Sequence, residues 1–346
     1  MNQSPKIIAI YESRSEWAAQ HKDLARRCGY EKFLESDESI NEIIEAVMRA
    51  GIVIVKKKMS WDLSLVLEKE AKNEPQCLVW NLTDGGIYYS GSWVPEIARE
   101  LKLPFLGSSS LTQMLCQNKP LLKTVAQGIG ISTAKGLVFR RPLRSPIRIP
   151  EDFQPPFFVK PSLLDNGIGD KVANPICQTT DEAVSVANLL LQSGIDEVLV
   201  EMYLPGREFT VIAVEAKEGW IVECAEILHD GPGFFSSEVK GTENYFCEFQ
   251  SNEISVELNR KALLLAEGIG LRDYFRADFR CDKNGEAQLL EVNSNPFLIS
   301  NFFECFSKRY FSSLSKMIKS VVLQSYSRQF ESSGYGQSKQ TEFFLS

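Results

Sequence analysis

The sequence predicts an α/β domain followed by an antiparallel α+β half. Three observations carry that prediction. Up to about residue 110, short apolar runs alternate with amphipathic stretches, the pattern of a parallel layer with crossover helices. After residue 150, β-rich runs follow one another with turn residues between them. Asn284-Gly285 lies between two such runs and is a strong short-range hairpin signal.

The elements follow in order. KIIAIY (6–11) and IVIVK (52–56) are short β-rich strands, with a helix over 39–50 between them. CLVWNL (77–82) is a buried strand that ends in Thr83-Asp84-Gly85-Gly86, a turn. A helix over 94–101 and a short strand over 104–107 complete the first layer. The proline-rich stretch 142–156 is a loop. FFVKP (157–161) is a strand, and 180–193 is an amphipathic helix opened by Thr180 and Asp181. EVLVEMYL (197–204) runs into Pro205-Gly206 and is followed by strands over 207–214 and 220–228. A helix over 259–268 precedes YFRADFRC (274–281) and AQLLEVN (287–293). The end of the chain, 326–346, becomes rich in Ser, Gly and Gln and reads as a mobile tail.

Composition narrows the function. Lys and Arg total 38 against 45 Asp and Glu, a net charge of −7, so a general nucleic-acid partner is disfavoured. No run approaches a membrane span, and 1–9 has too few apolar residues for a signal peptide. The 8 cysteines form no C-x-x-C pair, which points to free thiols in a reducing cytoplasm rather than to zinc. Only 2 histidines, His21 and His229, make a histidine triad unsuitable. The chemistry must rest on carboxylates, lysines, arginines and a cofactor.

The hairpin is the most informative segment. A two-residue type I′ turn at Asn284-Gly285 pairs Lys283 with Glu286, Asp278 with Glu291, and Arg276 with Asn293. Side chains alternate along a strand, so Ala277, Phe279, Leu290 and Val292 face the core. Arg276, Asp278, Glu291 and Asn293 share the other face. Two carboxylates directly opposite repel unless a cation neutralises them. Asp, Glu and an Asn carbonyl are hard oxygen donors suited to Mg²⁺. The alternative is a solvated face on which Arg276 and Arg280 pair with the two acids.

Two further segments suit a nucleotide. FFVKPSLLDNGIGDKV (157–172) puts Lys160 on an apolar strand, where it needs an anionic partner, before a loop with Gly167 and Gly169. An ordinary strand end and glycine turn would look the same. The break at Pro205-Gly206 exposes backbone groups at 202–204 that can read a base edge, between Glu201 and Glu208. A plain hairpin with exposed glutamates is the alternative.

Together, the lysine strand, the glycine loop, the broken E-x-x-x-x-G-x-E pair, R-x-D and E-x-N come in an order that resembles the ATP-grasp superfamily, specifically D-alanine–D-alanine ligases. The resemblance covers roughly 78–300. It implies an ATP-grasp fold: an α/β N-terminal domain over 1–116 and two α+β lobes over 117–203 and 204–325. It implies that Lys119 and Lys160 contact ATP phosphates, that Glu201 and the Leu204 backbone read adenine, and that Glu208 binds ribose. It places Gly167 and Gly169 in the loop over the phosphates and Lys240 at the γ-phosphate. It makes Asp278, Glu291 and Asn293 the ligands of Mg²⁺, with Mn²⁺ as the alternative ion, and Arg276 the group that steadies the tetrahedral intermediate. Amino-acid and donor small molecules are the implied partners, and a homodimer the implied assembly.

The departures bear on substrate. The dipeptide ligases carry a histidine where this chain reads Asn81-Leu82-Thr83-Asp84-Gly85-Gly86. Phe297 stands for a glycine of their oxyanion hole, and Phe302 for a serine that holds the acceptor carboxylate. The chain is similar instead to the ligases of mycosporine-like amino acid biosynthesis, which join serine, threonine or a similar amino acid to mycosporine-glycine. A dipeptide ligase, a D-alanine–D-alanine ligase and a kinase on the same fold are the other readings. For Phe302, Phe303 and Phe306, core packing of the last helices is the simpler reading.

Overall fold

A computed structural model describes residues 5–20, 36–73, 77–83, 90–141, 146–163, 173–230, 233–234, 239 and 245–331. The first layer is a parallel sheet of β1 (Lys6–Tyr11), β2 (Ile54–Lys58), β3 (Cys77–Asn81) and β4 (Phe105–Leu106), in the order β2-β1-β3-β4. Alternate residues of β1 enter two different cores. Ile7 and Ala9 pack with Ile40, Ile43 and Val47 of one helix, α2 (Asp37–Arg49). Ile8 and Ile10 pack with Leu63 and Leu67 of α3 (Leu63–Asn73) and with Val94 and Ala98 of α4 (Trp93–Glu100). Helices on both faces are what near-continuous apolar strands require. A short helix, α1 (Arg14–Gln20), follows β1.

The second sheet is antiparallel, β5-β8-β6-β7, built from β5 (Gly136–Arg140), β6 (Phe157–Pro161), β7 (Ile176–Cys177) and β8 (Glu197–Met202). One helix, α7 (Thr180–Gln192), covers it with Ala183, Ala187, Leu190 and Leu191. Its cap is Thr179, one residue before the predicted start, whose hydroxyl accepts from the Glu182 N–H at 3.2 Å.

The third sheet, also antiparallel, runs β11-β10-β9-β12-β13. Its strands are β9 (Glu208–Ala216), β10 (Gly219–His229), β11 (Tyr245–Phe249), β12 (Tyr274–Cys281) and β13 (Ala287–Asn293). One face packs on Leu122 and Ala126 of α6 (Lys119–Gly128) and on α8 (Glu253–Ile269). The α8 start lies six residues before the predicted one, because Asn252 and Ser255 form a reciprocal cap there. The other face shares a core with α2, α9 (Asn301–Phe311) and α10 (Leu314–Glu331). Between the first sheet and α6 runs α5 (Ser110–Gln117).

The final helix continues past the point where a tail was expected. Arg328 pairs with Glu215 at 2.6 Å and with buried Asp273 at 2.9 Å. Gln329 donates to the Phe105 carbonyl at 2.8 Å. Residues 326–331 are therefore helical and belong to the folded body, and 332–346 lie outside the described residues.

The break at Pro205-Gly206 is not a hairpin turn. It carries the chain from β8 in the second sheet to β9 in the third. Gly206 donates its N–H to the Cys281 carbonyl at 2.9 Å, and Cys281 returns one to Arg207 at 2.8 Å. A Cβ on Gly206 would lie 2.7 Å from the Cys281 Cβ and 2.8 Å from its carbonyl oxygen. Gly206→Ala should therefore cost about 1–3 kcal/mol of stability through overpacking. An unchanged denaturation midpoint would refute that close approach.

Candidate active site

The β12–β13 hairpin reaches the predicted face by a different route. Cys281 pairs with Ala287, the Asp282 N–H donates to the Glu286 carbonyl, and Gly285 has φ 85°. The loop is thus three residues, 283–285, with Gly285 left-handed, rather than a two-residue type I′ turn. Alone, that would shift every pair by one residue. A bulge at Leu290 shifts the register back, so Asp278 faces Glu291 and Arg276 faces Asn293 as expected. The bulge also exchanges two leucines: Leu289, not Leu290, enters the core.

β9 lies on the other side of β12, and the pairs Tyr274–Val214, Arg276–Ile212, Asp278–Thr210 and Arg280–Glu208 share one face. That face grades from apolar at Tyr274 to charged at Arg280. Asp278 is buried; it accepts from the Thr210 hydroxyl at 2.7 Å and takes a bidentate pair from Arg276 at 3.1 and 3.0 Å. The Arg276 guanidinium also lies 5.2 Å from the Phe302 ring centroid, and Tyr245 packs on Phe302 at 5.7 Å. Glu291 is 3.6 Å from the buried Lys119 ammonium. The facing carboxylates are thus neutralised by Arg276 and Lys119. Arg280, expected beside them in the solvated alternative, pairs with Glu208 at 3.1 Å instead.

The donors suit a hard divalent cation in kind. Asp278 and Glu291 supply carboxylate oxygens, and Asn293 an amide oxygen that accepts from the Asn295 N–H at 3.2 Å and has a second lone pair. Among the described residues no three His, Cys, Asp or Glu side chains cluster tightly enough to hold a metal by themselves. The amide oxygen of Asn293 is therefore the third donor this face has to offer.

A second cluster lies on the middle sheet. Glu201 of β8 is buried, with Lys160 of β6 at 2.6 Å from one oxygen and Lys123 of α6 at 2.8 Å from the other. The anionic partner required by a strand lysine is Glu201. Burial alone would push the Glu201 carboxyl up, but Lys123 and Lys160 outweigh it and hold it below its ordinary value of 4.5. A carboxyl lowered by folding adds stability above 4.5 and loses it as pH falls through the folded value. Glu201→Gln should lower stability at pH 7 by about 3 kcal/mol, the cost of leaving buried ammonium groups less compensated. The gap between wild type and variant should close on acidification below 4.5. Urea melts at a series of pH values check this; a pH-independent gap would refute the ion pairs.

Base-edge backbone groups are only partly available. The Met202 N–H donates to the Lys135 carbonyl and the Tyr203 N–H to that of Pro156, both at 2.9 Å. Of the three positions expected to be open, only Leu204 has an N–H with no backbone partner among the described residues. Glu208 and Arg280 lie beyond it, with Tyr203 at 5.3 Å from the Arg280 guanidinium. Gly167, Gly169 and Lys240, and 84–86 of the turn, lie outside the described residues. Asn81 is an internal brace: its amide donates to the Gly91 carbonyl at 2.9 Å and its oxygen accepts from the Thr83 N–H at 3.1 Å. Phe303 and Phe306 are core residues, as the simpler reading had it, whereas Phe302 is both core and wall to Arg276.

Sequence reasoning missed Lys123 and Thr210. Lys123 was findable: it follows Lys119 by one helical turn and sits between the core residues Leu122 and Ala126. Thr210 had no signal, since its role depends on which strand neighbours β12.

The family model described as the D-ala D-ala ligase C-terminus matches residues 126–322, more than half of the chain. The chain belongs to the D-alanine–D-alanine ligase family. It is an ATP-grasp enzyme of the C–N ligase class. It is 28% identical over 262 residues to the D-alanine–D-alanine ligase of Chelativorans sp. (strain BNC1), spanning 74% of this chain and 81% of that one. It is 30% identical over 215 residues to that of Bartonella tribocorum, spanning 60% and 67%. Among solved structures, the D-alanine–D-alanine ligase of Bacillus anthracis complexed with ATP superposes with a TM-score of 0.69 over 95% of this chain and 100% of that one, at 19% identity. The VanG D-Ala:D-Ser ligase of Enterococcus faecalis does so at 0.63, covering 93% and 100%, at 17% identity. These two likenesses bear on fold alone. Among the described residues, no helix is long and apolar enough to cross a membrane.

Proposed function

We propose that this ligase uses ATP to activate a planar small-molecule donor, mycosporine-glycine, and joins it to the amino group of a Ser- or Thr-like amino acid. ADP and phosphate are the other products. The observation that carries this reading is the wall beside Arg276. Phe302 and Tyr245 pack together there with their rings tilted, where dipeptide ligases resembling this chain have a serine for an acceptor carboxylate. A flat ring suits that wall better than the methyl of alanine does.

In this reading Glu201 and the Leu204 backbone take the adenine edge and Glu208 the ribose. Lys119, Lys160 and Lys240 take the phosphates, with Gly167 and Gly169 in the covering loop. Asp278, Glu291 and Asn293 would hold Mg²⁺, which when bound offsets charge on the phosphates of ATP. The donor's ring-ketone oxygen takes the γ-phosphoryl group from ATP, so the P–O bond to ADP breaks as the new one forms. The amine then attacks the activated ring carbon; the nitrogen releases its protons to solvent as phosphate leaves with the ketone oxygen, and a C=N bond remains. Arg276 stabilises the negative charge that develops on the departing phosphate oxygen. No histidine is needed. His229 is the described one, and burial lowers its pKa, with Arg280 adding to the effect.

No disulfide joins the seven described cysteines, which supports a cytoplasmic setting. Trp61 and Trp93 are exposed on the N-terminal layer with ring centroids 5.5 Å apart, which supports a homodimer through that layer. The deciding experiment measures phosphate release from ATP and Mg²⁺ with mycosporine-glycine and a panel of amino acids, checking product mass. Release only with mycosporine-glycine plus one or two amino acids supports the reading. Silence there with activity on D-alanine, or on another amino-acid pair, overturns it in favour of a peptide ligase.

A further inference from the structure

Helix α6 carries two lysines, four residues apart, to two different sheets. Lys119 reaches Glu291 on β13 at 3.6 Å. Lys123 reaches Glu201 on β8 at 2.8 Å and also donates to the Leu289 carbonyl of β13 at 3.2 Å. Leu289 adjoins the bulge that restores the hairpin register. The Lys123 ammonium thus ties the carboxylate at the base end of the site to the strand at its metal end. Its side chain is 7% exposed, against 16% for Lys160, so Lys123 is the more enclosed of the two cations on Glu201.

That enclosure gives the two lysines different jobs. In the reading above, Lys160 turns to the phosphates of ATP and so withdraws part of its charge from Glu201. Lys123 has no such second task and stays. A buried carboxyl stripped of cations takes up a proton, and its O–H then donates rather than accepts. At the 6-position an ionised carboxylate accepts from an amino group, whereas an oxo group there offers it only lone pairs. We propose that Lys123 is a positioning residue that keeps Glu201 a double acceptor and so sets the preference for a 6-amino over a 6-oxo purine nucleotide. The proposal rests on the assignment of Glu201 to the base edge.

The test compares ATP with inosine triphosphate on the full-length enzyme, by phosphate release and by equilibrium binding of each nucleotide with Mg²⁺. Wild type should prefer ATP. Lys123→Met should raise KM for ATP about tenfold and shrink the preference by a similar factor, the scale of one charge-assisted hydrogen bond. Its kcat at saturating ATP should fall far less. Lys123→Arg should restore most of the preference. A folded Lys123→Met with wild-type KM and preference overturns the proposal while leaving the ligase reading intact. Where Lys123→Met does not fold, Glu201→Gln decides, since its amide offers N–H donors to a 6-oxo group. It should move the preference toward inosine triphosphate, and an unmoved preference overturns the proposal. A wild-type enzyme that binds both nucleotides equally, or neither, overturns the base-edge assignment and the proposal with it.

Discussion

Asp278→Asn should reduce turnover by about three orders of magnitude while ATP binding stays measurable. The substitution keeps shape and volume. The Asn oxygen still accepts from the Thr210 hydroxyl, which lies 2.7 Å from Asp278 now. What it removes is one of two carboxylates on the face shared with Glu291 and Asn293, and the bidentate partner of Arg276. A hard divalent cation binds an amide oxygen far less well than a carboxylate. Groups that act on developing charge are each worth about 10²–10³ in rate, and this substitution weakens two of them. A stability loss of about 3 kcal/mol should accompany it, because Arg276 is left largely buried with less compensation. Phosphate release measures the first effect, and Mn²⁺ titration, read by its electron paramagnetic resonance signal, gives a readout independent of turnover. Unchanged turnover, or unchanged Mn²⁺ affinity, would refute the metal assignment.

Arg276→Lys should cost about 10²-fold in kcat despite keeping the charge. The guanidinium meets three demands at once in this site. It donates two bonds to Asp278, it lies over the Phe302 ring at 5.2 Å from the centroid, and it sits opposite Asn293 on the neighbouring strand. An ammonium is a point donor and cannot fork onto a carboxylate or stack on a ring. ATP affinity should change little, because Glu201, Lys160 and Glu208, the residues proposed to hold the nucleotide, lie on other strands. A fall in kcat without a rise in KM for ATP is the expected split. Equal losses in both would instead make Arg276 a nucleotide-binding residue.

The hairpin shows why some of this site was legible in the chain and some was not. The pairs Asp278–Glu291 and Arg276–Asn293 followed from counting outward from Asn284-Gly285. The count was right through two cancelling shifts: a three-residue loop in place of two, and a bulge at Leu290. Loop length depends on local backbone preference, which Gly285 signals. A bulge depends on what packs on either side of the strand, here Leu289 into the core against α6, and nothing local announces it. The break at Pro205-Gly206 was visible as a break. That it separates two sheets rather than closing a hairpin depended on where β8 and β9 found partners.

Local patterning determined the parallel first layer, the antiparallel second half, the strand that carries Lys160 and the ordered run of acids and bases over β12 and β13. Those are properties of alternation, turn chemistry and side-chain type, which act over a few residues. The tertiary structure decided which cation meets which carboxylate. Lys123 and Lys160 are far apart in the chain from Glu201, as Lys119 is from Glu291, and Arg280 goes to Glu208 rather than to its nearer neighbours. A buried charge must find a partner, and which partner it finds is set by the elements packed around it rather than by the residues beside it in sequence.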